Sequence, residues 1–265
     1  MKILITGASG FIGTNLLEDL NTKGYTVLNL DFNEPKILER RNVWKNIDIT
    51  EYESFKKEVL DFKPDYIVHL AARTDLDGKT LKDYDANVSG VKNLMNIVNE
   101  CKGLKKVIVA SSKFVTRNGY VIKNQFDYCP HTKYGESKVE TEKKVWENKP
   151  HCDWCIIRPT SIWGPWFGVP YRNFFDMVMR RMYFHIGHIK CHKTYGYIGN
   201  AIYQIEQLLF NETPDENNKV FYIGDEPAYE INEWADEIAG ELGFKVPTLA
   251  CANIHVRSAG FRRDV

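Results

Sequence analysis

Short apolar segments alternate with segments of helical periodicity along the first 160 residues, and this alternation constrains the fold more than any other feature. The strand-like segments are 2–6, 25–31, 66–70, 106–111 and 154–158. The helical patterns lie between them, at 11–23, 51–61, 87–101 and 134–147. Such alternation is typical of right-handed βαβ units. We therefore expect an α/β fold with a doubly wound parallel sheet covered by helices on both faces.

The pattern changes after residue 160. The aromatic stretch SIWGPWFGVPYRNFF predicts a loop, which is followed by a helix at 199–210, a strand at 220–224 and a helix at 231–242. A polar, turn-rich connection precedes that strand. We expect residues 161–265 to form a second, small lobe that is interleaved with the end of the sheet.

The charges of the chain balance. It has 265 residues, and 43% of them are hydrophobic, which is enough for a sizeable core. Lys and Arg together number 35, as do Asp and Glu, so no net field attracts nucleic acid or anionic lipid. No apolar run approaches the roughly 18 residues of a membrane span, and Met1 leads directly into a strand. We expect a soluble cytoplasmic protein without nucleic-acid or membrane partners.

Six cysteines in a chain of this length are typical of reduced thiols. Cys152 and Cys155 form a C-x-x-C, but the pair enters an apolar run and no second pair completes a zinc site, which favours burial. The segment HIGHIKCH clusters three histidines and a cysteine at a spacing that matches no metal motif. We predict no metal site.

Three glycines follow the first predicted strand, in the sequence GASGFIG. The apolar residues after them recur at helical spacing, so the glycines lie on a strand-to-helix turn. Unpaired N–H groups and the positive end of the helix dipole suit a phosphate there. Gly7 suits the tight turn, Gly10 the close approach of a pyrophosphate, and Gly13 the packing of helix on strand. These glycines predict a Rossmann-like dinucleotide-binding fold; a tight turn without a ligand is the alternative.

The second predicted strand ends in Asp31. A carboxylate at this place accepts hydrogen bonds from the adenosine ribose hydroxyls and repels a 2′-phosphate. No arginine follows directly to reverse that preference. The sequence therefore favours NAD over NADP.

Tyr134 and Lys138 in YGESK lie on one face of a predicted helix. A protonated lysine favours a neighbouring phenolate electrostatically, which suits a tyrosine for use as a base. Ser111 and Ser112 end a predicted strand, at the edge where open α/β sheets bind ligands. This combination predicts an active site; an exposed surface pair is the alternative for Tyr134 and Lys138.

These motifs, in this order, resemble the extended short-chain dehydrogenase/reductase family, in its group of NAD-dependent nucleotide-sugar epimerases and dehydratases. The resemblance covers residues 1–245. The matching segments are TGASGFIG (6–13), Asp31, DIT (48–50), HLAA (69–72), NVSGVKN (87–93), VIVASSKFV (107–115), YGESK (134–138), IRPTSIWGP (157–165) and YIGDEPAYEINEWADEIA (222–239).

The resemblance implies roles for the matching residues. Ser112, Tyr134 and Lys138 would be catalytic, with Tyr134 as acid and base on a sugar hydroxyl. Residues 1–160 would hold NAD and carry the catalytic residues, and 161–265 would mainly bind substrate. The residues expected at the cofactor are Gly7, Gly10, Phe11, Ile12, Gly13, Asp31, Asp48, Ile49, Leu70, Ala71, Ala72, Asn87, Tyr134 and Lys138. The candidates for substrate binding are Arg73, Ser112, Ser161 and Arg172.

Some positions depart from the family's pattern. Lys113 and Phe114 stand where the dehydratases of the family carry an acidic pair, which disfavours dehydration. Ser161 replaces an asparagine that commonly contacts the nucleotide phosphates. The chain ends at Val265, soon after the last predicted helix, so the substrate lobe is predicted to be small or truncated.

Three functions are compatible with these residues. The preferred one is an NAD-dependent nucleotide-sugar epimerase that oxidises the sugar transiently to a keto sugar. The second is an NAD(P)H-dependent 4-keto-sugar reductase, and the third is a non-catalytic regulator that binds a dinucleotide. Retention of Tyr134 and Lys138 argues against the third.

A homodimer is also implied by the resemblance, through the predicted helices at 87–101 and 134–147. Leu94, Ile97 and Val98 suit such a contact, and they equally suit packing on the sheet.

Overall fold

The computed structural model describes residues 1–169, 171–186, 190–213 and 218–249, and the chain divides into two units. The first unit comprises residues 1–168 and 195–226; the second comprises residues 169–194 and those from 227 on. No helix within the described ranges is long and apolar enough to cross a membrane.

The secondary structure alternates as the sequence predicts. The helices are α1 (Phe11–Thr22), α2 (Tyr52–Phe62), α3 (Asp85–Val98), α4 (Lys133–Glu147), α5 (Tyr171–Met179), α6 (Ile198–Phe210) and α7 (Ile231–Glu241). The strands are β1 (Lys2–Thr6), β2 (Thr26–Asp31), β3 (Trp44–Asn46), β4 (Tyr66–His69), β5 (Lys106–Ala110), β6 (Asp153–Pro159), β7 (Ser161–Trp163), β8 (His185–Ile186), β9 (His192–Lys193), β10 (Tyr195–Tyr197), β11 (Val220–Ile223), β12 (Tyr229–Glu230) and β13 (Thr248–Leu249).

A seven-stranded parallel sheet forms the centre of the first unit, in the order β3-β2-β1-β4-β5-β6-β11. Leu16 and Leu17 of α1 pack on one face together with α6, and Leu94 of α3 packs on the other together with α2 and α4. The strand order reverses between β1 and β4, which opens a crevice at their carboxyl ends. The doubly wound Rossmann-like sheet is therefore confirmed.

The structure adds short strands that the sequence did not predict, β3, β7, β8, β9, β10, β12 and β13, and it changes the interpretation of the aromatic stretch. Strand β3 was not predicted, because its three residues at the sheet edge show no apolar alternation and are mostly exposed. The aromatic stretch 161–175 was predicted to be a loop, but its first residues form β7 and its last residues begin α5. Phe174 and Val178 are four residues apart and share an apolar helix face, a pattern that the surrounding aromatic residues obscured.

The second unit packs α5 against α7. Val178, Ala235 and Ala239 are buried between these helices, and Phe174 stacks on Trp234 with 5.3 Å between the ring centroids. The aromatic side chains of α5 thus form lobe packing within this unit. The sequence-based division at residue 160 stays a prediction about where cofactor and substrate bind.

The three apolar residues of α3 that were suited to a dimer contact are buried in the first unit. Leu94, Ile97 and Val98 are fully covered by the sheet and its neighbouring helices. They are therefore unavailable for a contact between subunits, and the homodimer stays a prediction that these residues do not support.

Candidate active site

The glycine loop after β1 has a conformation that side chains would prevent. Gly7 has φ +77°, and a Cβ there would lie 2.5 Å from the backbone N of Ala71. A Cβ on Gly13 would lie 2.4 Å from the carbonyl oxygen of Gly7. Gly10 is the N-cap of α1, and no side chain caps it. The first N–H groups of α1 are therefore left to a ligand anion, which fits the pyrophosphate of a dinucleotide.

Asp31, at the end of β2, holds this loop in place. Its carboxylate accepts hydrogen bonds from the backbone N–H groups of Ser9 at 3.1 Å and Asn33 at 2.9 Å. Burial raises the pKa of Asp31, whereas these backbone donors lower it. Asn29, whose side chain accepts from Ala8 N at 3.2 Å, supports the same loop and was not singled out in the sequence. The sequence feature that could have singled out Asn29 is a polar residue within an otherwise apolar predicted strand.

Replacing Asp31 with asparagine is expected to weaken NAD binding about 10- to 100-fold, the usual range for a lost hydrogen bond to a charged group. The discrimination against NADP should fall, because the repulsion of a 2′-phosphate is removed. Calorimetric dissociation constants for both dinucleotides measure this, with Asp61→Asn as control because the Asp61 carboxylate is exposed and paired with Lys57. Unchanged ratios of NAD to NADP affinity would contradict the prediction.

The other predicted cofactor residues lie around the same edge. Asp48 is exposed and accepts hydrogen bonds from Thr50, while Ile49 is buried against α3. The Asn87 side chain forms hydrogen bonds within the protein. It accepts one from Arg73 N at 2.8 Å and donates to Arg73 O and Ser137 Oγ. Asn87 thus orders the segment after β4. The remaining predicted cofactor residues are half-buried; they lie in the first turn of α1, at Phe11 and Ile12, and in the segment after β4, at Leu70, Ala71 and Ala72.

Tyr134, Lys138 and Ser112 all lie near the carboxyl end of β5: Ser112 follows that strand closely, Lys138 bonds to its last residue, Ala110, and Tyr134 contacts Phe114 in the following turn. Tyr134 is 8% exposed, and its ring packs between Phe114 and Tyr84, at centroid distances of 5.7 and 6.1 Å. Gly135 lies so close to the turn at 113–115 that a Cβ would be 2.3 Å from Phe114 O. Ser112 Oγ accepts a hydrogen bond from Phe114 N, so its own O–H can still donate to a ligand.

Lys138 is buried and donates from Nζ to the carbonyl oxygen of Ala110 at 2.9 Å. Burial lowers the pKa of Lys138 to about 8, although the charge of Glu142 raises it. His69 also faces this region: burial and the charge of Lys138 lower its pKa to about 3, so its ring is neutral. Lys138 therefore carries the positive charge beside Tyr134 at neutral pH.

A buried ion pair supports this edge from below. Arg158 of β6 and Glu142 of α4 are both fully buried, with 2.7 Å between Nη2 and Oε2. Ser111 Oγ donates to Oε1 of Glu142 at 2.5 Å, and Tyr128 OH donates to Oε2 at 2.9 Å. Although burial opposes it, pairing with Glu142 raises the pKa of Arg158. The pair thereby ties α4, β5 and β6 together beneath Ser112 and Lys138.

This pair was missed in the sequence. The sequence feature that could have indicated it is the four-residue spacing of Tyr134, Lys138 and Glu142, which places Glu142 on the same face of α4.

The predicted substrate residues have different surroundings. Arg73 is exposed, and its guanidinium is paired with Asp75 at 2.7 Å. Ser161 is buried on β7. Arg172 lies on α5 in the second unit, 3.3 Å from Asp176, so these residues are not shown to converge on one ligand.

The histidine-rich segment shows no metal centre in its described part. His185 Nε2 lies 2.9 Å from Asp236 Oδ1, and Cys191 N donates to Glu230. His188 lies outside the described residues. Within the described ranges, no three His, Cys, Asp or Glu side chains are grouped to hold a metal.

The doubly wound sheet and the glycine loop after β1 are typical of proteins that bind a dinucleotide. The sequence model of the NAD-dependent epimerase/dehydratase family matches residues 3–201, and the chain belongs to that family. The cofactor is NAD, which confirms the preference inferred from Asp31.

The individual relatives described next have low sequence identity to this chain. The N-acetyl-α-D-glucosaminyl-diphospho-ditrans,octacis-undecaprenol 4-epimerase of Escherichia coli O157:H7 is 28% identical over 255 residues, covering 94% of this chain and 74% of the relative. A 3-β-hydroxysteroid dehydrogenase of Mycolicibacterium neoaurum is 27% identical, covering 97% and 75%. The fold is similar to Bordetella bronchiseptica WbmG in complex with NAD and UDP, at TM-score 0.77 and 23% identity, covering 95% of this chain and 81% of that one.

Proposed function

We propose that this protein is an NAD-dependent nucleotide-sugar 4-epimerase. The observation that carries the proposal is the buried Tyr134–Lys138 pair beside Ser112, at the carboxyl edge of the sheet. The 4-epimerase name of the Escherichia coli relative and the UDP bound to WbmG support a diphosphate-linked sugar as substrate. Lys113 and Phe114, which follow Ser112, supply no carboxylate for elimination of water.

The residues of this chain act on the proton of the reacting hydroxyl. NAD, held at the glycine loop and Asp31, would supply a reversible acceptor for the hydride on C4 of the sugar, and its return to the opposite face would invert that carbon. Tyr134, as phenolate, removes the proton of the C4 hydroxyl as the carbonyl forms, and Lys138 stabilises that phenolate. Ser112 donates a hydrogen bond to the sugar oxygen. Tyr134 returns the proton after the keto sugar has turned, so no atom is gained or lost.

Incubation of the purified protein with UDP-sugars and less than stoichiometric NAD tests the proposal. We expect NMR spectra to show conversion to the C4 epimer over many turnovers, with no net accumulation of NADH. Stoichiometric consumption of NAD(P)H with a 4-keto sugar would instead establish the reductase. The dehydrogenase relative makes an oxidoreductase the second candidate.

A cytoplasmic location, a homodimer and a substrate-binding role for residues 161–265 complete the proposal. They are supported by family resemblance alone, and Arg73, Ser161 and Arg172 remain the candidate substrate contacts.

A further inference from the structure

Lys113 is a half-buried cation that the proposed chemistry does not use. It begins the turn directly after Ser112. Its Nζ donates to Thr116 Oγ1 at 3.0 Å and lies 5.8 Å from the centroid of the Tyr222 ring. Among the residues that the structure describes, no carboxylate forms an ion pair with it. A hydroxyl and an aromatic face leave its charge unneutralised.

The neighbouring charges increase this imbalance. Among the described residues, Lys113 interacts with the charge of Arg158, and the carboxylate of Glu142 interacts with both Arg158 and Lys138. That carboxylate accepts two hydrogen bonds from Arg158 and one each from Ser111 and Tyr128, so it is already engaged away from Lys113. A phenolate at Tyr134 would offset Lys138, so the charge of Lys113 still lacks a partner. Burial and the charge of Arg158 both lower the pKa of Lys113, as expected for an ammonium group without a counterion.

We infer that the substrate is a hexuronic acid derivative, whose C6 carboxylate pairs with Lys113. This inference rests on the proposed function, which places the reacting C4 hydroxyl at Ser112. Adjacent Cα atoms lie about 3.8 Å apart, and the flexible side chain of Lys113 is long enough to reach groups next to those that Ser112 contacts. In a pyranose, C5 and its C6 substituent adjoin C4, whereas C1 and the diphosphate lie across the ring. A carboxylate on C6 is therefore the anionic group closest to Lys113.

The test compares UDP-glucuronate with UDP-glucose in the NAD-loaded enzyme. We expect the wild type to epimerise UDP-glucuronate with the higher kcat/KM. Lys113→Met should lower kcat/KM for UDP-glucuronate about 10- to 100-fold, the range for a lost hydrogen bond to a charged group. The kcat/KM for UDP-glucose should be nearly unchanged. Lys113→Arg should retain most of the preference, since it keeps the charge. Lys133→Met is the matched control, because Lys133 is exposed and paired with Glu136 at 2.7 Å.

Calorimetry with UDP, UDP-glucose and UDP-glucuronate separates the possible sources of negative charge. If Lys113→Met weakens the binding of UDP alone as much as the binding of UDP-glucuronate, Lys113 contacts the diphosphate and the inference is wrong. Equal affinity of the wild type for both sugars would also overturn it. If the enzyme turns over UDP-glucose but not UDP-glucuronate, the proposed epimerase activity is supported and the inferred uronate substrate is wrong. If UDP-glucuronate binds in a manner that depends on Lys113 but is not epimerised, the uronate ligand is supported and the proposed epimerase activity is wrong.

Discussion

Replacing Tyr134 with phenylalanine is expected to lower kcat about 100- to 10,000-fold, the contribution of a positioned acid and base. Only the phenolic oxygen is removed. The ring keeps its packing between Phe114 and Tyr84, so the fold and the glycine loop should be unaffected. Epimer formation followed by NMR measures the loss, and calorimetry measures NAD binding, which should change little.

The control for this substitution is Tyr203→Phe, because Tyr203 is 62% exposed on α6. That variant should retain full activity. Activity of Tyr134→Phe within a few-fold of the wild type would remove Tyr134 from the proposed mechanism. Equal loss of NAD binding and turnover would indicate that the tyrosine serves mainly to hold the cofactor.

Replacing Glu142 with glutamine is expected to lower the free energy of unfolding by about 3–5 kcal/mol, because it leaves the Arg158 charge buried and unpaired. Glu142 and Arg158 are 0% and 1% exposed, so solvent cannot take over the role of the missing carboxylate. Urea unfolding measures the loss. Glu140→Gln on the same helix is the control, since its exposed pair with Lys143 contributes only about 0–1 kcal/mol.

The double variant Glu142→Met with Arg158→Met separates charge from packing. Because it removes both charges, it should recover most of the stability that the single variant loses. A single variant no less stable than Glu140→Gln would show that Arg158 does not depend on Glu142.

Glu142→Gln should also change the pH dependence of activity. The pKa of Lys138 is about 8, so activity that needs its ammonium is present below that pH and is lost as pH rises through it. Glu142 raises this pKa, and removing its charge while Arg158 remains disfavours the ammonium. The alkaline limb of kcat/KM should therefore move to lower pH, which a purely structural loss would not produce.

The limits of the sequence-based prediction are visible in α4. Tyr134 and Lys138 were found because their spacing places them on one face of a helix. Glu142 extends that spacing, but in a helix rich in charged residues it resembles a solvated side chain. Its burial depends on Arg158, which arrives on the neighbouring strand β6. Asn29 was interpreted only as a strand residue and Asp31 as a ligand of the adenosine ribose. Their hydrogen bonds to Ala8 and Ser9 depend on how β2 is paired with β1.

Local pattern determined the alternation of strands and helices, the glycine turn and the helix face that carries Tyr134. These depend on periodicity and on backbone conformations that few residues adopt. Tertiary structure alone decided which charges are neutralised. Glu142 is paired with Arg158, and Lys113 is left without a carboxylate among the described residues. The strength of a charge interaction depends on burial and on distances between residues far apart in sequence, which only the assembled sheet establishes.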